Sequence, residues 1–404
     1  MNGEALKHLN AIKDNSVDLI AEDELLLKIQ NSLTAKKPLK LKIGFDPTAR
    51  DIHLGHTVCL RKLRKLQDLG HCVYLIIGDF TAKIGDPSGR SALRPVLSEE
   101  QIKDNARTYT DQVFKILDKS KTKVIYNSTW YKGISVSEFL SLLSCYTVAR
   151  MLERDDFSKR MKENRPLTIL ELVYPLIQGY DSVKLEADIE FGGTDQKFNL
   201  IVGRHLQDVF GQKPQGVVTM PLLVGLDGTN KMSKSLNNYV GVTEDSKSMF
   251  GKLMSISDCA MWEYFRLLTD CDIKEVKAMH PKDAKMFLAE TIVSLYHTQA
   301  LAQKEKIEFE SVFSQKKIPR EIPVYEAKFA DIDVIEVLSE NKIVGSKNEA
   351  RRLLAQGGIS IVNIAGSISA TVLTGHTLKI PAEGVVVKIG KKKFLKIVLT
   401  GKTQ

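Results

Sequence analysis

Two lysines set three apart, Lys231 and Lys234, stand with Ser233 and Ser235 in GLDGTNKMSKSLNN (225–238), a stretch whose glycines and asparagines mark a loop. Two ammonium groups on a loop can neutralise a triphosphate most strongly as charge moves toward a leaving pyrophosphate, which is differential stabilisation of a transition state. A second pair, His53 and His56, brackets Gly55 in GFDPTARDIHLGH. Here a strand is expected to end at Phe45, Asp46 and Pro47 to turn the chain, and an amphipathic helix to begin near His53. Unpaired N–H groups at such a helix start favour anions. Gly55 lets a ligand lie on the backbone, and the two imidazoles, one turn apart, can donate to phosphate oxygens.

Three further groups carry polar side chains that could meet ligands, and the first suits a small polar ligand with an ammonium group. Tyr174, Gln178 and Asp181 fall at i, i+4 and i+7 in YPLIQGYD, so one helix face carries a phenol, an amide and a carboxylate. Such a stripe makes a poor core. IGDPSGRSALR (84–94) holds Asp86 in a turn, with Arg90 and Arg94 nearby as mobile cations. FGGTDQ (191–196) places Asp195 and Gln196 after two glycines that permit close backbone approach, suited to ribose hydroxyls and a ligand carboxylate or amine.

Bringing these groups together requires a sheet whose strand ends converge. The N-terminal half alternates short apolar runs with longer amphipathic segments, the pattern of an α/β fold with a parallel, Rossmann-like sheet. Strands are expected over 39–45, 72–80, 123–127, 187–193 and 217–225, and near-continuous apolar runs such as VYLII fit strands covered on both faces. The segment between the third and fourth, about 128–186, reads as helical insertion. Residues 242–313 read as wholly helical, and 319–333, with Pro319 and Pro323, as a linker. A small α+β domain follows. The expected domains are 1–228, 229–318 and 334–404.

Composition bounds the rest. With 404 residues, 43% hydrophobic and 26% charged, the chain can bury sizeable cores. Neither a long apolar span nor a signal-peptide pattern is present, so a cytoplasmic protein is expected. The five cysteines are far apart and lack a C-x-x-C pair, so they read as reduced and mostly buried, and no metal site is expected. Residues 342–404 contain eleven Lys and Arg against two acids, a net +9 that equals the excess of the whole chain. That asymmetry suits a polyanion, either nucleic acid or an acidic membrane surface.

HLGH at 53–56 and KMSKS at 231–235 resemble the two signatures of the class I aminoacyl-tRNA synthetases. GFDPTA, GDPSG, YPLIQGYD and GGTDQ are similar to those of the tyrosyl/tryptophanyl branch. SKNEARRLLAQGGISIVN resembles the S4 RNA-binding domain that bacterial tyrosyl enzymes carry and tryptophanyl enzymes lack. The resemblance covers nearly all of the chain and implies a two-step reaction: tyrosine attacks the α-phosphate of ATP, and the tyrosyl group of the adenylate passes to tRNA(Tyr). It implies that Thr48, His53 and His56 contact the phosphates, with Lys231, Lys234, Ser233 and Ser235 closing over them. Asp46, Gly55, Gly193, Asp195, Arg90 and Arg94 would complete the ATP site. Asp86, Tyr174 and Gln178 would hold the substrate ammonium, Gln196 the carboxyl region, and Asp181 would accept from the phenol hydroxyl.

Many tyrosyl enzymes have a second tyrosine two residues before the GFDPTA glycine, where this chain has Lys42. Its ammonium can donate to the phenol oxygen while Asp181 accepts, or it can pair with an acid and leave the pocket. The resemblance further implies Mg²⁺ entering with ATP, no tightly bound cofactor, and no membrane partner. It implies a homodimer joined near 130–165, and tRNA contact through Lys347, Arg351, Arg352, Lys391, Lys392 and Lys393. Tryptophan specificity is disfavoured by Asp181 and the S4-like tail. A nucleotidyltransferase without tRNA does not need KMSKS and the tail, and an RNA-binding protein without catalysis leaves HLGH and KMSKS without a role.

Overall fold

In a computed structural model of the protein, residues 2–48, 50–88, 98–313, 322–362, 370–381, 383–390 and 393–400 are described. Two compact units, Met1–Gln299 and Ala300–Gln404, make up the chain. In the first, the apolar runs form β2 (Lys40–Phe45), β3 (Cys72–Ile77), β4 (Thr122–Tyr126), β5 (Ile189–Gly193) and β6 (Gly216–Met220), joined by a short β1 (Asp18–Ile20). The sheet order is β1-β6-β5-β2-β3-β4, parallel except for β1, which pairs antiparallel with β6. The three residues of β1 are too few to show a period in the sequence.

From β2 the chain crosses to β3 on one side, while β5 and β6 lie on the other. This reversal opens a crevice beyond the carboxyl ends of β2 and β5, where open α/β sheets take ligands. The helix Leu54–Asp68 starts beside it, burying Leu54, Val58, Leu63 and Leu66. The helix Ile169–Leu185 starts at a reciprocal cap: Thr168 Oγ1 accepts from the Glu171 N–H and the Glu171 carboxylate accepts from the Thr168 N–H. It packs closely on the helix Lys197–Val209, and a Cβ on Gly179 would come within 3.0 Å of the Gly203 backbone. Only glycine lets the two helices approach so far.

Lys42 and Glu190 are register partners across β2 and β5. Their charged atoms are 2.8 Å apart and both side chains are only 1% exposed. The Lys42 ammonium also donates to Ser182 Oγ (2.7 Å) and to the Gln178 carbonyl (3.0 Å), so the sheet centre and the helix Ile169–Leu185 share one cation. Glu190 in turn accepts from Ser182 Oγ and Gln215 Nε2.

The helical expectation for 242–313 agrees with the helices between Ser246 and Phe313. The linker expectation does not hold throughout 319–333. The division between units lies earlier, at 299/300, and within the expected linker Val324–Ala327 is a strand, β7, while Asp331–Asp333 is another, β8. β7 lies at a sheet edge with a largely exposed burial pattern, so it lacks the apolar signal that would have revealed it. The remaining strands are β9 (Ile359–Val362), β10 (Ala370–Val372), β11 (Thr377–Lys379), β12 (Val385–Ile389) and β13 (Lys393–Leu399). They form a sheet ordered β10-β9-β12-β13-β7 and a β11-β8 pair. Two helices, Val334–Glu340 and Lys347–Ala355, contribute Val334, Leu338 and Ala350 to a core with Ile359, Val387 and Ile397.

The cysteines are unpaired, but only Cys59 is buried, so the expectation of mostly buried thiols is corrected. Among the described residues, no helix is long and apolar enough to cross a membrane.

Breaking a buried ion pair by removing one partner leaves an uncompensated charge, at a cost of about 3–5 kcal/mol. Glu190→Gln should therefore lower the urea unfolding free energy of the protein by about that amount. A loss of less than about 1 kcal/mol, the scale of an exposed pair, would contradict the role given to this contact.

Candidate active site

A cleft of about 830 Å³ opens at the carboxyl ends of β2 and β5, within the roughly 300–1,000 Å³ typical of ligand pockets. Its walls bring together Asp46, Thr48, His53, Gly55, His56, Asp86, Tyr174, Gln178, Asp181, Gly193, Asp195, Gln196, Lys231, Ser233, Lys234 and Ser235. Lys42 is not among the lining residues; of its two possible arrangements, the structure has the one in which it pairs with an acid. Arg90 and Arg94 lie outside the described residues.

At one end, His53 caps the helix Leu54–Asp68 in extended conformation. Its N–H donates to His56 Nδ1 (3.3 Å), and the two rings lie 3.8 Å apart, centroid to centroid. Burial pushes the His53 imidazole far below its usual range, and His56 is held at about 3 by burial and by the Lys234 ammonium. Both are neutral near pH 7 and can each offer one N–H to a phosphate. Gly55 has an additional role here: a Cβ there would lie 3.0 Å from the His53 ring atoms Nδ1 and Cε1. His53 Nδ1 is buried without a partner.

The KMSKS loop folds over this end. Asp227 organises it, accepting from the N–H groups of Thr229 and Asn230 and from Asn238 Nδ2 at 2.9–3.1 Å, and these donors hold its carboxyl at about 2. Asn238 Oδ1 accepts from the Ser233 N–H (2.8 Å), and Ser233 and Ser235 share a hydroxyl bond of 2.7 Å. Lys231 pairs with Asp195 (2.6 Å). Lys234 donates to the Asp51 carbonyl and sits 5.4 Å above the Tyr109 ring, and burial lowers its ammonium to about 8. Cys59 also faces the cleft, but burial pushes its thiol up to about 12, which leaves it inert as a nucleophile.

Asp46 links this end to the next. Its carboxylate accepts from Thr81 Oγ1 (2.6 Å) and from the Tyr174 hydroxyl (2.9 Å). A Cβ on Gly78 would fall 2.1 Å from Asp46 Oδ1, so only glycine leaves room for that carboxylate. The Thr48 N–H donates to the Asp46 carbonyl (2.7 Å).

At the far end, Gln196 Nε2 donates to Asp86 (2.7 Å), whose other oxygen accepts from the Ser88 N–H (2.9 Å). Asn199 Nδ2 donates to Gln178 Oε1 (3.0 Å) and Gln196 Oε1 (3.2 Å). Deeper in, the Asp181 carboxylate is buried and accepts from Trp130 Nε1 (2.8 Å) and Asn127 Nδ2 (3.3 Å). Burial raises it to about 7, against the opposing influence of Lys42. Gly78, Thr81, Asn127, Trp130 and Asn199 were not singled out from the sequence. Asn127 and Trp130 had a signal, since they directly follow the β4 run at the same strand ends.

In the second unit, Lys347, Arg351 and Arg352 are exposed on the helix Lys347–Ala355, and Lys393 is exposed at the start of β13. Lys347 pairs with Glu336 (2.7 Å), Arg351 donates to Asn348 Oδ1 (3.0 Å) and Lys393 donates to the Ile343 carbonyl (2.5 Å). Lys391 and Lys392 lie outside the described residues.

Residues 34–314 match the family model described as "tRNA synthetases class I (W and Y)", and residues 314–397 match that described as "Tyrosine--tRNA ligase SYY-like C-terminal domain". The chain is 49% identical over 397 residues to a protein of Aquifex aeolicus (strain VF5) named "Tyrosine--tRNA ligase", with 97% of this chain and 98% of that one covered. It is 47% identical over 409 residues to one of the same name from Carboxydothermus hydrogenoformans, covering 98% of each. Its fold is similar to that of the Archaeoglobus fulgidus tyrosyl-tRNA synthetase complexed with L-tyrosine, with a TM-score of 0.60 and 22% identity over 75% of this chain and 99% of that one.

The folded-state value of Asp181 exceeds the roughly 3.9 of an unfolded chain, so its ionisation works against folding. Its contribution to stability is complete below about 4 and is lost as pH rises toward 7. In a ¹³C titration of the aspartate carboxyls, one midpoint should appear near 7 and vanish in Asp181→Asn. All midpoints falling near the usual carboxylate value would contradict the burial argument.

Proposed function

The chain belongs to the class I tRNA synthetases of the tryptophan and tyrosine group, and from that premise we infer how this site performs the reaction. The protein is a tyrosine–tRNA ligase: it activates tyrosine with ATP and attaches it to tRNA. The observation that carries the residue-level reading is the convergence of two neutral imidazoles, two loop lysines and the carboxylates Asp86, Asp181 and Asp195 in one cleft.

The phenol hydroxyl of tyrosine donates to Asp181, whose carboxylate Trp130 and Asn127 hold in place. Phenylalanine would leave that buried carboxylate without its ligand partner, which disfavours it. The substrate ammonium lies among Asp86, Tyr174 and Gln178, and its carboxylate lies near Gln196, facing the α-phosphate. ATP enters as its Mg²⁺ complex. Its phosphates take the ring N–H groups of His53 and His56 and the hydroxyl of Thr48, and its ribose lies against Gly193 and Asp195. Lys231 then leaves Asp195 for the phosphates, where with Lys234 it offsets charge gathering on the departing pyrophosphate. No protein nucleophile takes part; alignment of carboxylate and phosphorus provides much of the acceleration.

Lys347, Arg351, Arg352 and Lys393 would meet the tRNA backbone. Val136, Leu140, Val148, Ile169 and Leu170 are each more than half exposed. This apolar surface supports homodimerisation near 130–165, and purely monomeric sedimentation would argue against it.

ATP–pyrophosphate exchange without tRNA should proceed with tyrosine and not with tryptophan or phenylalanine. Lys234→Ala should slow it about 10²–10³-fold. In the wild type, kcat/KM should fall as pH rises through about 8, where Lys234 loses its proton, and Lys234→Arg should move that limb upward. Exchange supported equally by tryptophan, or an unchanged rate in Lys234→Ala, would contradict the assignment. Replacing Lys347, Arg351 and Arg352 together by Ala should weaken tRNA binding and flatten its salt dependence by roughly two to three units of log–log slope while leaving exchange intact. Equal loss of both activities would refute that division.

A further inference from the structure

Arg154 lies outside the sequence signatures, in the insertion between β4 and β5, and is 6% exposed. Its Nε and one terminal nitrogen donate to the two oxygens of Asp156 (2.6 and 3.0 Å), and its plane rests on Phe157, with 4.5 Å from guanidinium carbon to ring centroid. So clamped, it points its remaining donors at Ser88 Oγ (3.0 Å) and Asn199 Oδ1 (3.2 Å).

A guanidinium has five donors and no acceptor, so the Asn199 atom facing it has to be oxygen. The Asn199 amino group must then face the other way, toward Gln178 and Gln196, and there it meets Oε1 of both. With its oxygen so engaged, Gln196 turns its amino group to Asp86. One cation thus fixes the direction of Asn199 and, through it, of both glutamines. A flip of Asn199 would place donor against donor at Arg154 and acceptor against acceptor at both glutamines.

We propose that Arg154 is a positioning residue that, through Asn199, sets the hydrogen-bond polarity of the amino-acid end of the cleft and so its preference for an ammonium group. This rests on the assignment of Asp86, Tyr174 and Gln178 to the ammonium of tyrosine. With Asn199 held by Arg154, the oxygens of Gln178 and Asp86 are presented in fixed directions, and acceptors are what an ammonium requires. Without Arg154 the amides can turn, and a donor-bearing ligand loses its advantage. The carboxylate Asp181, at the other end of the ligand, is untouched by this chain of bonds.

The test compares binding of two ligands that share the phenol and differ in the amine, tyrosinol and its desamino counterpart 3-(4-hydroxyphenyl)propan-1-ol. Inhibition of ATP–pyrophosphate exchange by each is measured in wild type, Arg154→Ala, Arg154→Lys and Asn199→Asp. Asn199→Asp keeps an acceptor toward Arg154 but deletes both donors to the glutamines, and it guards against a failure of Arg154→Ala to fold. The expected result is that the wild-type preference for tyrosinol falls at least tenfold in Arg154→Ala and Asn199→Asp, with the desamino ligand changed less than threefold. KM for tyrosine should rise while KM for ATP stays within threefold, and millimolar guanidinium should restore part of the preference in Arg154→Ala. Equal weakening of both ligands, or an undiminished preference in the Asn199 variant, would overturn the proposal. A wild type that shows no preference for the amine would instead overturn the ammonium assignment beneath it.

Discussion

The three hydrogens of the Lys42 ammonium tie the middle of the sheet to the helix beside it. One goes to Glu190 on the neighbouring strand, and the others to the hydroxyl of Ser182 and the carbonyl of Gln178. The strands so joined, β2 and β5, are those between which the chain reverses direction, and each runs straight into the cleft. Asp46 and Thr48 follow β2, while Gly193, Asp195 and Gln196 end or follow β5. Tyr174, Gln178 and Asp181 ride on the helix held by the same cation. Desolvation makes a buried ion pair a weak source of net stability, but a one-residue slip of either strand would bury both charges unpaired. The pair therefore fixes register, and with it the distances among the three ends of the ligand site.

Within the cleft, burial decides which groups carry charge. Both histidines are held neutral, so the two loop lysines provide the mobile positive charge, and both are engaged before any ligand arrives, Lys231 by Asp195 and Lys234 by the Asp51 carbonyl. These contacts hold the loop across the mouth of the cleft while remaining exchangeable, because a triphosphate offers each ammonium a stronger partner than it gives up. An incoming polyanion would also raise the proton affinity of Lys234, opposing the burial that lowers it to about 8. At the other end burial raises Asp181 to about 7, while two donors orient its carboxyl group. It is prepared to accept one more hydrogen bond from a ligand that buries it completely.

Much of this could be read from the chain because it is written in local spacing. The HLGH helix start, the stripe of Tyr174, Gln178 and Asp181 and the glycines before Asp195 follow from the 3.6 period and from turn residues, and the five parallel strands from short continuous apolar runs. What escaped depends on partners distant in sequence. Lys42 is ambiguous until Glu190 is known to be its neighbour across the sheet. Gly78 looks like an ordinary turn glycine until the Asp46 carboxylate is found where its Cβ would be. Asn199 and Arg154 are separated by 45 residues and join only through the folding of the insertion onto the helix Lys197–Val209. β1 and β7 were lost for another reason: edge strands of three and four residues, partly exposed, have no apolar pattern to display.

This cleft works by alignment and charge stabilisation, with no bond formed between protein and substrate. The most direct test is a single turnover with labelled tyrosine and Mg²⁺–ATP in the absence of tRNA, quenched in acid and divided into protein and small-molecule fractions. The label should leave the denatured protein as tyrosyl-adenylate, with the protein mass unchanged. Tyrosine retained on the denatured chain, at Cys59 or any other side chain, would contradict it.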